Sequence, residues 1–530
     1  MNLFATVKSW FGPTDTLTDV SEADLRRADP RRGPGGTLAA SLTAGLNNAD
    51  LGDHFAYTNS LSARAALSSD VRRKIRERFR FERTQNSFLA GMVQSAANYA
   101  IGTGPRLQMM TDDRQKNREI ETAFAWWARK IKLAEKLRTC VMSKIEGESF
   151  GVMTANPWVR QQTGISLDFI PLEADQVEYQ PWSVAFEDDG GGGIRYDAWD
   201  NPVFYPVQKA HPGDNKSFSA SIHTEPDWVE REFMCHFFRV DRPGQRRGVC
   251  EWLSALPLFA LYRRMTLAVL GNIENSANMS GVLESDAEFD ADGNPANPFD
   301  NEDWFLSFPV VRRMLMTLPA GAKLKPWSAA QPSSQYDTFC RSLLREIARC
   351  TGQPYGVAAG DSSEYNYASV RKDDQGWHLN NRVERDSFEQ EGVDRIFERW
   401  LRVFLSQRTG MAPEDHDLSL YPHNWFWEGL EHVDPNKEAS AADTRIRNGT
   451  STRGIEYAKQ GRDVDDIDER AAAEMGFEGP TALRDYRVWL RDNMSTAKSA
   501  AADDDDAAND ERGRGPATSS RTTARSGGVA

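Results

Sequence analysis

Cysteine is scarce in this chain and arranged for no obvious chemistry. The five cysteines, Cys140, Cys235, Cys250, Cys340 and Cys350, are odd in number, form no CxxC and share no zinc-ligand spacing with the eight histidines. A reducing compartment is the simpler expectation. No apolar run approaches the roughly 18 residues of a membrane span, and the start, MNLFATVKSWFGPTD, lacks the apolar core and cleavage site of a signal peptide, so neither a membrane nor general secretion is expected. No Walker loop, GxGxxG, GxSxG or HExxH is present, which removes the local signatures of nucleotide binding, acyl transfer and zinc hydrolysis. Net basic charge is also lacking. The formal charge is -14 and the pI about 5.3, against tight binding of nucleic acid through a basic surface.

What is present is enough apolar and aromatic residue for a folded chain: 39% hydrophobic, with 15 tryptophans and 26 phenylalanines among 530 residues. Residues 1 to about 66 mix Gly, Pro, Ser and Thr and read as an extended arm. SSDVRRKIRERFRFER, with Val71, Ile75 and Phe79 four apart, and NSFLAGMVQSAANYAIGTG, ending at Gly102 and Gly104, predict two helices. A third is expected from Trp126 to Cys140. Short strands then follow at FGVMTA, ISLDFI, QVEYQ, GIRYDAW, PVFYPVQKA and REFMCHFF, giving an antiparallel-rich α+β region.

Leu261, Met265, Val269 and Ile273 repeat at four-residue spacing, and Tyr336, Phe339, Leu343 and Ile347 mark a second helix. Between them lie an acidic, turn-rich segment and two short strands around VVRRMLMTL and AKLKPW, a two-helix stalk with a small tip. A loop, TGQPYGVAAGDSSEYNYASVR, leads to a long polar helix whose apolar members are Trp377, Val383, Phe388, Val393, Ile396, Phe397 and Trp400. Smaller helices reach Asn493, and the last 37 residues are expected to be disordered.

Three local features invite chemistry. DRPGQRRG places Arg242, Arg246 and Arg247 on a bend, suited to carboxylates or to a phosphate backbone, or simply solvated. Asp290, Asp292 and Asn294 begin a calcium-like loop, but Pro295 and Asn301 stand where an EF-hand needs Gly and Glu. Gly190 to Gly193 has no following Lys-Ser or Lys-Thr and reads as a loop tip. His211 and His423 read as structural. No residue is assigned a catalytic role, and no metal or cofactor is expected.

Five stretches, taken in order, are RERFRFERTQNSFLAGMVQSAANYAIGTGPRLQ, GIRYDAWDNPVFYPVQKAHPGD, HFFRVDRPGQRRGVCEWLSAL, IARCTGQPYGVAAGDSSEYNYASVR and WFWEGLEHVDPNKEASAADTRIRNGTSTRGIEYAKQGRD. Together they resemble the lambda-type portal proteins of tailed bacteriophages, over about Arg76 to Glu474. One departure is Ala368, where the family pattern has a second serine. The resemblance implies a non-enzymatic homo-dodecameric ring at one capsid vertex of the virion, assembled in the host cytoplasm. Double-stranded DNA would pass through it during packaging and ejection. Its implied partners are terminase, a head-completion or adaptor protein, and the major capsid and scaffolding proteins. A capsid or scaffolding component is the alternative, with a nucleic-acid-processing enzyme further off.

The implied portal fold is α+β, and it divides the chain into an arm (1–66), a wing (67–250), a first stem helix (251–281), a clip (282–330), a second stem helix (331–352), a tunnel loop (353–366), a long wing helix (367–409), a helical crown (410–493) and a tail (494–530). Arg242, Arg246 and Arg247 are then intersubunit candidates. Lys323, Lys325, Ser362, Ser363 and Tyr365 are candidates to face DNA.

Overall fold

The computed structural model describes residues 61–179, 192–214, 225–278, 282–285, 322–325, 335–363, 366–429, 435–479 and 481–493. These fall into two compact units, one of the described residues within 61–104 and 118–422 and one of those within 105–117 and 423–493. The first unit opens with a one-turn helix, Ala63–Ala66, then α1 (Ser69–Gln85) and α2 (Ser87–Ile101). Val71, Ile75 and Phe79 are buried as their spacing predicts, but Arg72 and Arg76 beside them are buried too. Asn86 caps α2 by accepting from the backbone N–H groups of Phe88 and Leu89, and Gly102 ends it.

One helix was expected from Trp126 to Cys140; two are found. A helix (α3, Arg114–Lys130) stops at Lys132, whose φ of 56° is left-handed, and α4 (Leu133–Ile145) begins there. Nothing in the local sequence signals this break, because lysine is an ordinary helix former. In the first unit, Phe124 and Trp127 of α3 pack on Phe397 and Trp400, with the Phe124 ring 5.3 and 5.2 Å from those two, and Trp127 Nε1 donates to the Leu167 carbonyl.

Two small antiparallel sheets follow. β2 (Glu148–Ala155) lies between β3 (Leu167–Glu173) and β7 (Met234–Phe238), and β5 (Pro202–Val207) lies between β4 (Arg195–Tyr196) and β6 (Asp227–Glu230). Phe150, Val177, Ile194, Tyr205 and Met234 form the apolar cluster beside these sheets. The strand expected at QVEYQ is absent from its described residues. Ala174–Gln176 is instead a 3-10 turn with a reciprocal cap between Glu173 and Gln176, so Val177 reaches the core from a turn.

After a turn at 239–255 comes α6 (Leu256–Asn278), and α7 (Gln335–Arg349) packs against it. The hairpin is antiparallel: Tyr262 lies beside Cys340, Tyr336 lies beside Thr266, and Ser254 Oγ lies 3.1 Å from Cys350 Sγ. Their chain positions rise on one helix as they fall on the other. Leu261 and Ile273, two of the four apolar residues whose spacing marked this helix, are exposed. Beyond α6, β8 (Val282–Ser285) pairs with β9 (Ala322–Lys325). β9 is the expected AKLKPW strand, whereas β8 was not anticipated, and VVRRMLMTL lies outside the described residues.

A short helix, α8 (Tyr355–Ala359), precedes α9 (Tyr367–Phe388) and α10 (Asp394–Thr409). Between the last two, Glu389–Val393 form a π-helical turn in what the sequence suggested was one continuous helix. Gly392 is needed there: a Cβ would come 2.5 Å from the Phe237 ring, which itself stacks on Phe388 at 4.4 Å. Val383, one of the apolar members of this mostly polar helix, is 61% exposed.

In the second unit, β1 (Arg106–Met109) pairs antiparallel with β10 (His423–Phe426), with Arg106 opposite Phe426 and Met109 opposite His423. The helices α11 (Pro435–Arg447), α12 (Arg453–Lys459), α13 (Val464–Glu474) and one over 482–493 complete it. Buried Asp468 joins them by binding Arg453 at 2.5 Å and Arg487 at 2.8 Å. The unit starts at His423, within the 410–493 stretch expected to be helical, and includes 105–117 from far upstream.

Gly151 in β2 gives a direct test of the first unit's packing. A Cβ at Gly151 would lie 2.1 Å from the Phe169 ring on β3. Gly151→Ala is expected to lower unfolding stability by about 1–3 kcal/mol in urea titration, the usual result of overpacking. An unchanged midpoint would show that Phe169 turns aside freely.

Candidate functional site

Residues 239–251 connect β7 to α6, and a single glutamine shapes the bend. Gln245 Oε1 accepts from the backbone N–H groups of Asp241 and Arg242, while its Nε2 donates to the carbonyls of Arg239 and Arg247. With Gly244 at φ 76°, this turn separates the three arginines that the sequence presented as one cluster. Arg242 is exposed and donates to the Leu61 carbonyl at 2.9 Å. Arg246 is half-buried, binds Asp200 through Nε at 2.7 Å and lies 4.1 Å over the Tyr196 ring. Arg64 also reaches this corner, pairing with Asp200 and donating to the Gly244 carbonyl.

Arg247 points the other way, into the protein. Its Nε and Nη2 donate to Glu148 at 2.8–3.0 Å, and the Gly248 N–H adds a further bond to the same carboxylate at 3.0 Å. His236 Nε2 also donates to Glu148, at 3.1 Å, its ring stacked on Phe150 and Phe238. Arg72 and Arg76 of α1 approach within 4.0 Å and then turn to Glu178 and Asp175, at 2.8 and 2.7 Å. Arg80 extends the chain of charge to Asp175 and Glu146. Three buried arginines therefore face three carboxylates, Glu148, Asp175 and Glu178. Gly192 fits over this group because it lacks a side chain: a Cβ would lie 2.3 Å from the Arg247 guanidinium.

Burial alone would raise the Glu148 carboxyl, but Arg247 and the His236 hydrogen bond hold it well below its usual value. Burial pushes His236 below its ordinary value despite Glu148 beside it. Next to this cluster, buried Lys144 of α4 binds Glu251 at 2.8 Å and Glu384 of α9 at 2.7 Å, tying the start of the hairpin to the long helix. Neither Glu148 nor Lys144 was singled out from sequence; an ionisable residue flanked by Ile145 and Phe150 was the available signal.

This junction corrects one expectation. Arg247 has no exposed side-chain surface left for a neighbouring subunit, so only Arg242 and Arg246 remain at the surface of the bend. The channel candidates are not brought together with them. Ser362 and Ser363 are exposed, and Ser363 folds back on Asp361 through its N–H and hydroxyl. Lys323 and Lys325 lie on β9, in register with Glu284 and Val282 of β8. Tyr365 and the calcium-like loop lie outside the described residues. His211 accepts from the Gly213 N–H and lies 3.1 Å from Glu173.

The charge cluster acts as a structural joint, and its chemistry sets a pH dependence. Because His236 binds protons more weakly in the folded chain, stability falls as the pH drops below about 6.5. Glu148 adds a second loss below about 4.5, again because the unfolded chain takes up the proton first. Urea midpoints measured from pH 8 to pH 4 should show both stages. His236→Gln should remove most of the first, leaving a smaller part from half-buried His378, also lowered by burial. Glu148→Gln leaves Arg247 uncompensated and should cost about 3–5 kcal/mol at pH 7. Equal stability of wild type and Glu148→Gln would remove the joint's central role.

Comparison with known proteins bears on what this joint belongs to. The chain is 25% identical over 330 residues to a probable portal protein of Halomonas phage phiHAP-1, covering 60% of this chain and 61% of that one. It therefore spans less than two thirds of that relative. It is 22% identical to the portal protein of Escherichia phage N15, covering 72% of this chain and 80% of that protein. Among solved structures, a chain of the virion of a native gene transfer agent particle aligns at a TM-score of 0.41 with 14% identity, covering 73% of this chain and 93% of that one. A chain from the neck of the same kind of particle, computed with C12 symmetry, aligns at 0.38 and 14% identity, covering 74% and 94%. The family model for phage portal proteins of the lambda family matches residues 55–373, from before α1 into α9 and through the whole arginine joint. On that match, which takes in more than half of the chain, this protein belongs to the lambda family of phage portal proteins.

Proposed function

We propose that this chain is the subunit of a portal ring, a dodecamer at one vertex of the virion capsid, through which double-stranded DNA enters during packaging and leaves on ejection. The family match over residues 55–373 carries this reading. In it the sheets and α1 to α4 belong to the wing, α6 and α7 are the stem, β8 and β9 belong to the clip, and the second unit is the crown. Terminase and a head-completion protein dock at the clip, and the capsid and scaffolding proteins surround the wing. The role is structural rather than enzymatic. The acidic balance suits a conduit, because each phosphate neutralised by a lysine or arginine would add affinity and retard the DNA. Lys323, Lys325, Ser362, Ser363 and Tyr365 are the proposed channel-facing residues.

The stem supplies a physical reason to form a ring. Leu267 and Leu270 of α6 are 58% and 56% exposed, and Phe339 of α7 is exposed as well. Side chains of this kind on a helix hairpin are stabilised by burial against a neighbour, at about 25 cal/mol per Å² of apolar surface covered. Negative-stain microscopy with native mass spectrometry of the purified chain should show rings with a channel wide enough for duplex DNA. A chain that stays monomeric at high concentration, alone and with its capsid and scaffolding proteins, would overturn the reading.

Leu267→Glu combined with Leu270→Glu should abolish rings while the far-UV circular dichroism stays that of the wild type. Arg242→Ala combined with Arg246→Ala should weaken assembly more mildly. Intact rings that fail to package DNA would instead place those two arginines against the nucleic acid.

A further inference from the structure

Helix α9 carries unmatched charge of opposite sign on two of its sides. On one side, Asp373 and Asp374 line an open cavity of about 370 Å³ together with Ser95, Tyr99, Gly356 and Ser362. Among the described residues no lysine or arginine pairs with either carboxylate. Burial and the neighbouring Asp373 raise the Asp374 carboxyl, as expected of two like charges held together without a counter-ion. Two carboxylates, two hydroxyls and an aromatic wall form a receptor suited to an ammonium or guanidinium group on a long side chain.

The other side of α9 faces outward. By the 3.6-residue repeat, Lys372, Leu379 and Val383 follow one stripe. Leu379 and Val383 are 57% and 61% exposed, and Arg371 and Arg382 are exposed along its edge. Among the described residues none of these three cations has an ion-pair partner. A helix with an acidic cavity on one side and a basic, partly apolar strip on the other is complementary to a second copy of itself. Such a head-to-tail contact uses two different surfaces, and it closes into a ring when the rotation between copies is a fraction of a full turn.

We propose that the Lys372 and Arg382 strip of α9 docks on the Asp373 and Asp374 cavity of the next copy, so that each cavity is completed by its neighbour. This rests on the ring reading, but concerns the surface of α9 and not the exposed leucines of the stem. It also gives α9 a second role: its charges set which neighbouring surface the helix accepts.

The test uses the full chain and charge reversal. Lys372→Glu with Arg382→Glu makes the strip acidic; Asp373→Lys with Asp374→Lys makes the cavity basic. Each variant alone then meets like charge at every contact, and ring yield by native mass spectrometry should fall by about tenfold or more. Mixed in equal amounts, the two variants restore opposite charge at every contact. Rings should return, with the two chains present in equal number. Full ring formation by either variant alone would overturn the α9 contact while leaving the ring reading in place. Loss in both variants without rescue on mixing would also overturn it. If chelation disperses wild-type rings and mixing fails to rescue the variants, the cavity belongs to a metal ion instead. Absence of rings from the wild type would remove the ring reading itself, and this contact with it.

Discussion

The first unit depends on one carboxylate that has no contact with solvent. Glu148 begins β2, and around it meet α1 through Arg72 and Arg76, β7 through His236, and the bend before α6 through Arg247 and the Gly248 N–H. An ionised group in such a place is tolerated only when its partners are fixed in position, because the loss of water must be matched by charge and hydrogen bonds. The fixing is done by steric means. Gly192 lets the loop lie on the guanidinium groups, and a Cβ at Gly248 would lie 2.0 Å from the Gly147 carbonyl oxygen. The apolar cluster of Phe150, Tyr205 and Met234 lies alongside and keeps water out. Where the helical hairpin leaves the body of the protein is therefore decided by charge, and the apolar core supports that decision.

Lys144 carries the same logic one step further. By binding Glu251 and Glu384 together, it links the bend before α6 to the C-terminal half of α9. A few residues beyond, the π-helical turn at Glu389–Val393 opens the helix just enough for Phe237 to fit against Gly392. The C-terminal half of α9 is thus held from two directions. In its N-terminal half, Trp377 is buried against Tyr99, and Lys372 and Asp373 are exposed.

Sequence periodicity reached the elements whose stability is local. The apolar spacing of α1, the glycine end of α2 and most strands around β2 were legible because each buries one face of a regular element, and the four-residue repeats of the hairpin marked its helices although part of that stripe stays exposed. What it missed depends on partners distant in the chain. Nothing near Arg72 and Arg76 in the chain announces that Glu148, Asp175 and Glu178 will surround them. Arg247 was grouped with Arg242 and Arg246 because they share a bend; only the Gln245 hydrogen bonds reveal that it turns inward. The left-handed Lys132 and the turn that replaced a strand near Val177 are tertiary choices that propensity cannot foresee. Of the channel candidates, the chain pattern gave position on loop and strand but no orientation.

The pairing of β1 with β10 has a consequence in time. Arg106–Met109 leaves the ribosome more than 300 residues ahead of its partner strand. At about 5–20 residues per second, that strand waits on the order of 15–60 s with its backbone N–H and C=O groups unmatched. Over the same interval the segments on either side of it, α1 and α2 before and α4 with the sheets after, can already close around Glu148. The second unit is therefore the last part of the chain to become complete during synthesis, and its first strand is the most exposed to pairing with a wrong edge.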